Sequence, residues 1–251
     1  MSRLKILFSV LRYKLITNEN INIGILFHNL DTDERKLETI TKWSRLKNFD
    51  DEIDIKFFKI MLQGMKEEIQ NTLFNDLIEF NIKEYTKKFY NEMRFSQIYE
   101  DETDDFKEFI QLCKKNFLRY DLEKKDRPSK DQQVGYMKRL MKANEVVYSI
   151  KSPKGNYNEK IYFDYIIGEY AFKFFSFENK KLDILIHTAK AWAYTALELK
   201  KQYKTIFVYD VEVKDKKFDT IISILKSNAD RVIKYDDTLD FVLNRYNKEI
   251  N

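Results

Sequence analysis

The sequence predicts an α+β chain in two lobes: a three-stranded antiparallel sheet with a helical cover, then a βββαβαβα domain. Three observations predict it. Two apolar, β-branched runs open the chain, apolar residues then recur at three-to-four-residue spacing, and strand-like and helix-like stretches alternate over the second half.

Taken in order, "LKILFSVLRYK" and "NINIGILFHNL" flank the polar "LITNE" and read as an antiparallel hairpin. "KLETITKW" alternates Leu37, Thr39 and Thr41 against Glu38, Ile40 and Lys42, and supplies a third strand. A small sheet needs a cover. Ile53, Phe57, Ile60 and Met61, then Leu73, Leu77 and Phe80, then Phe106, Phe109, Ile110, Cys113 and Phe117 supply it as three or four amphipathic helices over residues 51–120. The run "YEDETDD" interrupts them, and its acids suit the N-terminal end of a helix starting near Asp104.

The only two prolines are Pro128 and Pro153. Pro128 lies in the hydrophilic "LEKKDRPSKDQQ", so a helix ends near Leu122, a new one starts after Ser129, and the lobes divide as 1–125 and 126–251. "QQVGYMKRLMKAN" is helical. "EVVYSIKS", "KIYFDYII" and "EYAFKFFSF" read as three consecutive strands. A helix over 181–201 presents Leu185, Ala189, Trp192, Ala196 and Leu199 on one face. "TIFVYDVE", a helix near Phe218–Leu225, "DRVIKY" and a helix near Leu239–Tyr246 complete the pattern, whose βαβ units should be parallel.

Composition narrows the chemistry. The single Cys113 cannot pair within the chain, and no CxxC or Cys/His cluster exists, against a disulfide scaffold or a structural zinc site and for a reducing cytoplasm. No apolar stretch approaches the roughly 20 residues of a membrane span, and the opening residues do not read as a signal peptide. Forty-five basic side chains against 41 acidic ones leave a net charge of +4, too balanced to predict nucleic-acid binding from field strength. The 20 Phe and 16 Tyr, with abundant Lys, Ile and Asn, fit an AT-rich genome. His28 and His187 have no Ser or Cys in a nucleophile motif, and no phosphate-cradling glycine loop is present.

The stretch "SVLRYKLITNENINIGILFHNL" resembles the N-terminal signature of the DUF3037 family of bacterial and phage proteins, carried here by Arg12, Tyr13, Glu19, Asn22 and Gly24. The resemblance implies a fold family without an established activity. Gly24 within a strand marks a bulge or a close approach that a Cβ would block. Arg12, Glu19 and Asn22 either hold hairpin register, Arg12 pairing with Glu19 across the turn, or present polar groups to a partner.

The strand and helix order of the second half resembles the PD-(D/E)xK nuclease superfamily, which would need two carboxylates holding a divalent cation such as Mg²⁺ and a lysine orienting the attacking water. Asp164 in "YFDYII" and Lys173 in "EYAFKFFSF" fit. The position two before Lys173 is Ala171, so Glu169 or Glu178 would have to supply the second carboxylate, and an Asp164–Lys173 ion pair explains the same residues without metal. The lysines of "ELKKQYK" read as a solvated helix end or a phosphate contact. The expectation is therefore a cytoplasmic interaction protein without a cofactor, phage- or mobile-element-borne, binding a protein partner to modulate a host defence or toxin–antitoxin complex. The alternatives are a metal-dependent nuclease and a non-catalytic nucleic-acid binder.

Overall fold

A computed structural model describes residues 3–17, 19–70, 80–177, 180–210 and 216–250. The chain divides into two compact units, residues 1–129 and 130–251, each with its own sheet. Leu73 and Leu77, expected on a covering helix, lie outside the described residues.

The N-terminal unit is organised by β1 (Leu4–Lys14), whose Phe8, Val10 and Leu11 are fully buried. It pairs antiparallel with β2 (Asn20–Asn29), and β2 with β3 (Arg35–Thr39), as the hairpin signal indicates. The sheet has five strands rather than three, because β4 (Met93–Phe95) and β5 (Tyr99–Thr103) return to the other edge of β1. Part of the acidic run expected to precede a helix is thus a strand. Its Tyr99 and Asp101 are buried while Glu100 and Glu102 are exposed, which is strand alternation.

The cover comprises α1 (Ser44–Phe49), α2 (Ile55–Gln70), α3 (Ile82–Lys87) and α4 (Phe106–Phe117). Asp105 caps α4, accepting hydrogen bonds from the Lys107 and Glu108 amides at 2.7 and 3.0 Å. The helix buries Phe106, Phe109, Ile110, Cys113 and Phe117, so the lone thiol is packed inside the core. Phe8 meets Phe27, Tyr99, Phe109 and Phe117 with ring centroids 5.2–6.1 Å apart, joining sheet and helix through one aromatic cluster.

Gly24 satisfies both readings of its position. The register shifts between Leu11 and Arg12, so Leu11 faces Gly24, Arg12 faces Asn22 and Ile23 is the extra residue of a bulge. A Cβ on Gly24 would also stand 2.9 Å from the backbone oxygen of Glu38 on β3. Since a strand backbone cannot move aside as a side chain tip can, Gly24→Ala is expected to lower stability by about 1–3 kcal/mol. An unchanged urea midpoint would show that the β2–β3 spacing relaxes freely.

The C-terminal unit runs α5 (Lys130–Ala143), β6 (Tyr165–Ile167), β7 (Tyr170–Phe175), α6 (Leu182–Glu198), β8 (Lys204–Tyr209), α7 (Lys216–Lys226), β9 (Arg231–Lys234) and α8 (Thr238–Ile250). The sheet order is β6-β7-β8-β9, with β7–β8 and β8–β9 parallel. The first of the three expected consecutive strands is not formed. Over residues 145–152 only Ser149 bridges Ile166, and Val147 and Ile150 are exposed, because the short β6 offers this stretch no longer ladder. The unit packs Leu185, Ala189 and Ala196 of α6 with Phe175, Phe207 and Ile221. No described helix is long and apolar enough to cross a membrane.

Candidate functional site

The β6–β7 register, with Tyr165 opposite Phe172, places Asp164 beside Lys173. Asp164 stands one residue before β6 rather than inside it, and its amide donates to the Phe172 carbonyl at 2.9 Å. Its carboxylate receives the Phe174 amide at 2.7 Å and lies 3.1 Å from Lys130 Nζ and 4.0 Å from Lys173 Nζ. Lys173 also donates to the Tyr162 carbonyl at 2.7 Å and sits 4.4 Å over the Trp192 ring. Burial lowers the Lys173 pKa, the nearby Asp164 charge opposes that shift, and Lys130 adds to it.

The other nuclease candidates are not brought to this cluster. Glu169 occupies the β6–β7 turn and pairs with Lys204 at the start of β8, roughly 13 Å along the strand from the level of Lys173 at about 3.3 Å per residue. Glu178 lies outside the described residues. Among the described residues no group of three His, Cys, Asp or Glu side chains could hold a metal. The donor set around Asp164 does not fit a divalent cation, because two ammonium groups and a backbone amide already face its one carboxylate.

In the N-terminal unit, Asn22 is fully buried and its Nδ2 donates to the Phe117 carbonyl at 2.9 Å, fastening β2 to the end of α4. Arg12 is half-buried between Asn22 and Arg94 in the register of the sheet. Glu19 is exposed at the hairpin turn, where its carbonyl accepts the Leu15 amide. The expected Arg12–Glu19 pair is not formed, since the bulge aligns Arg12 with Asn22 and leaves Glu19 at the tip.

A groove missed at the level of sequence lies one residue from Arg12. It encloses about 980 Å³ and is built from three stretches distant in the chain, around residues 13–16, 50–61 and 88–94. Tyr13 contributes to its lining; its hydroxyl donates to Asp50, and burial together with that carboxylate raises the phenol pKa. Asp54 accepts the Lys56 and Phe57 amides at 2.9 and 3.1 Å, fixing the first turn of α2 and holding Phe57 over the groove at 65% exposure. Opposite, a Tyr90–Arg94 bridge closes a tight turn that presents Tyr90, 69% exposed, while Phe89 anchors the turn against Tyr85 and Phe95. Ile16 is fully exposed at the hairpin end. The lining carries Asp50, Glu52, Asp54 and Glu92 alongside Lys14, Lys88 and Arg94.

The fold is α+β, with an antiparallel N-terminal sheet and helices. Residues 8–99 match a family described as "Protein of unknown function (DUF3037)". No curated protein and no solved structure matches the chain. The matched stretch contains every residue that lines the groove and lacks Asp164 and Lys173.

Proposed function

We propose that this chain is a binding protein that seats an extended segment of a protein partner in the groove of its N-terminal unit. The observation that carries the reading is the convergence of three exposed apolar side chains, Ile16, Phe57 and Tyr90, over a groove with both acidic and basic lining residues. Exposed aromatics at a concave surface are the anchors on which protein interfaces concentrate their affinity. Mixed charge favours a peptide carrying both signs over a polyanion, which the four carboxylates would repel. The Asp164 cluster enters this reading as structure, its carboxylate being engaged by the lysines that hold α5 and β7 to it. In line with the family resemblance, the partner is a cytoplasmic component of a host defence or toxin–antitoxin complex.

The test is selection of random peptides displayed on a carrier against the full chain. Enriched sequences should carry paired apolar residues and bind Phe57→Asp roughly thirtyfold more weakly, the loss of about 2 kcal/mol typical of a removed anchor. Conservative Asp164→Asn should bind them as the wild type does. Failure to enrich beyond an unrelated control protein, or equal binding by Phe57→Asp, would overturn the proposal.

A further inference from the structure

A second surface, in the C-terminal unit, carries its own chemistry. After the Ser149 bridge the chain forms a narrow hairpin in which Lys154 pairs directly with Lys160. Like charges placed opposite one another across strands repel, so this pairing is unfavourable on its own and gains from an anion. The turn between them is firmly built. Gly155 and Asn158 amides donate to the Glu159 and Gly155 carbonyls at 2.9 and 3.0 Å, and Asn158 takes the left-handed conformation with φ 66°.

Two acids at the turn, Glu159 and Glu198, are directed to backbone amides rather than to the lysines. Glu159 receives the Tyr157 amide at 3.0 Å and folds over Gly155, where a Cβ would collide with its carboxylate. Glu198, at the end of α6, receives the Asn156 amide and ties the turn to that helix. Beside it, Lys200 and Lys201 are exposed. Among the described residues, Lys151, Lys154, Lys160, Lys200 and Lys201 have no ion-pair partner.

The returning strand alternates. Ile161 and Phe163 are buried, packing with Leu199, Trp192 and Tyr203, so Lys160 and Tyr162 point the other way. Tyr162 is 63% exposed, and Tyr157 at the turn is 81% exposed. Lysines interleaved with solvent-facing aromatic rings on a braced hairpin are the two elements that hold a single-stranded nucleic acid, cations for the phosphates and rings for unstacked bases. We infer that the 151–162 hairpin, with Lys200 and Lys201 in the turn after α6, is a binding site for single-stranded nucleic acid. A duplex, whose bases are already stacked, gives the tyrosines no face to cover.

The experiment is fluorescence anisotropy of the full chain with labelled oligo-dT and oligo-U across a salt series. Wild type should bind both, more weakly as salt rises. In Lys154→Gln, Lys160→Gln the slope of log affinity against log salt should fall by about 1.4, the value for two lost single-strand phosphate contacts. Tyr157→Ala should weaken binding by about tenfold, within the range of one stacked base, with the slope unchanged because the ring is neutral. Phe57→Asp, in the N-terminal groove, should bind as the wild type does. The lysine substitutions relieve a repulsive pair, so the variant's unfolding midpoint should not drop; if it does, Lys200→Gln, Lys201→Gln in the turn after α6 replaces it with the same expected loss. No binding at low salt, an unaltered slope in the lysine variants, or binding to phosphatidylserine vesicles without binding to either oligonucleotide would overturn the inference.

Discussion

Replacing Phe8 with alanine is expected to lower the stability of the N-terminal unit by about 3–5 kcal/mol. The ring is fully buried in the middle of β1 and contacts four other rings drawn from β2, β5 and α4. Its removal leaves a cavity that neighbours on three separate elements cannot close together, so both transfer energy and packing are lost. Against a typical total of about 5–15 kcal/mol, that brings the unit near its unfolding threshold. Urea denaturation followed by near-ultraviolet circular dichroism measures the change, and a loss below about 1 kcal/mol would show that the aromatic cluster is not the organising centre.

Asp164→Ala should cost about 2–3 kcal/mol in the C-terminal unit, somewhat under the usual cost of breaking a buried pair because the carboxylate is 15% exposed. The substitution strands two ammonium groups and the Phe174 amide at once. Lys173→Met should differ from wild type by less than about 1 kcal/mol at neutral pH, since it removes a cation that burial disfavours and leaves Lys130 on Asp164. The pH dependence supplies a signature. With the folded pKa of Lys173 below its ordinary 10.5, both states hold the proton at low pH; as pH rises through the folded value the native state releases it first, and stability rises until 10.5. Buried Tyr165, whose pKa is raised by its burial, acts oppositely above 10, so the rise is read as the difference between wild type and Lys173→Met. A flat difference across the alkaline range would mean that Lys173 is not desolvated.

The β1–β2 hairpin and the role of Gly24 were legible because β-branched runs, a polar turn and a glycine inside a strand each have one common physical cause. The helices of the C-terminal unit were legible for the same reason: Leu185, Ala189, Ala196 and Leu199 keep a helical period and are buried. Strands β4 and β5 were not, since one has three residues and the other is rich in acids that resemble a helix start. The opposite error occurred at Val146–Ile150, where β-branched residues imply a strand but the neighbouring edge supplies a single bridge. Propensity describes one strand, whereas a ladder needs two.

The candidate sites divide along a similar line. Asp164 and Lys173 could be paired in sequence because opposite charges in adjacent apolar strands are costly apart. Glu169 was grouped with them as a replacement second carboxylate, yet the turn hands it to Lys204. The groove gave no local signal. Its residues come from a hairpin end, a helix start and a turn, and Phe57 and Ile60, expected from their spacing on the covering face of the helix, are exposed instead, the helix burying Phe58, Leu62, Met65 and Ile69.

The double-sided pairing of β1 also sets an order of assembly. Leu4–Phe8 precede their partners on one side, Tyr99–Thr103, which are made only after β2, β3 and the helices that follow. Closing so long a loop is entropically slow. During synthesis β1 therefore waits with one bare edge, a template for a neighbouring chain on the same polysome. A fragment cut to residues 8–99 would lose Leu4–Leu7 together with most of β5, leaving of that ladder only Phe8 opposite Tyr99, so the stretch recognisable as a family is shorter than the sheet it belongs to.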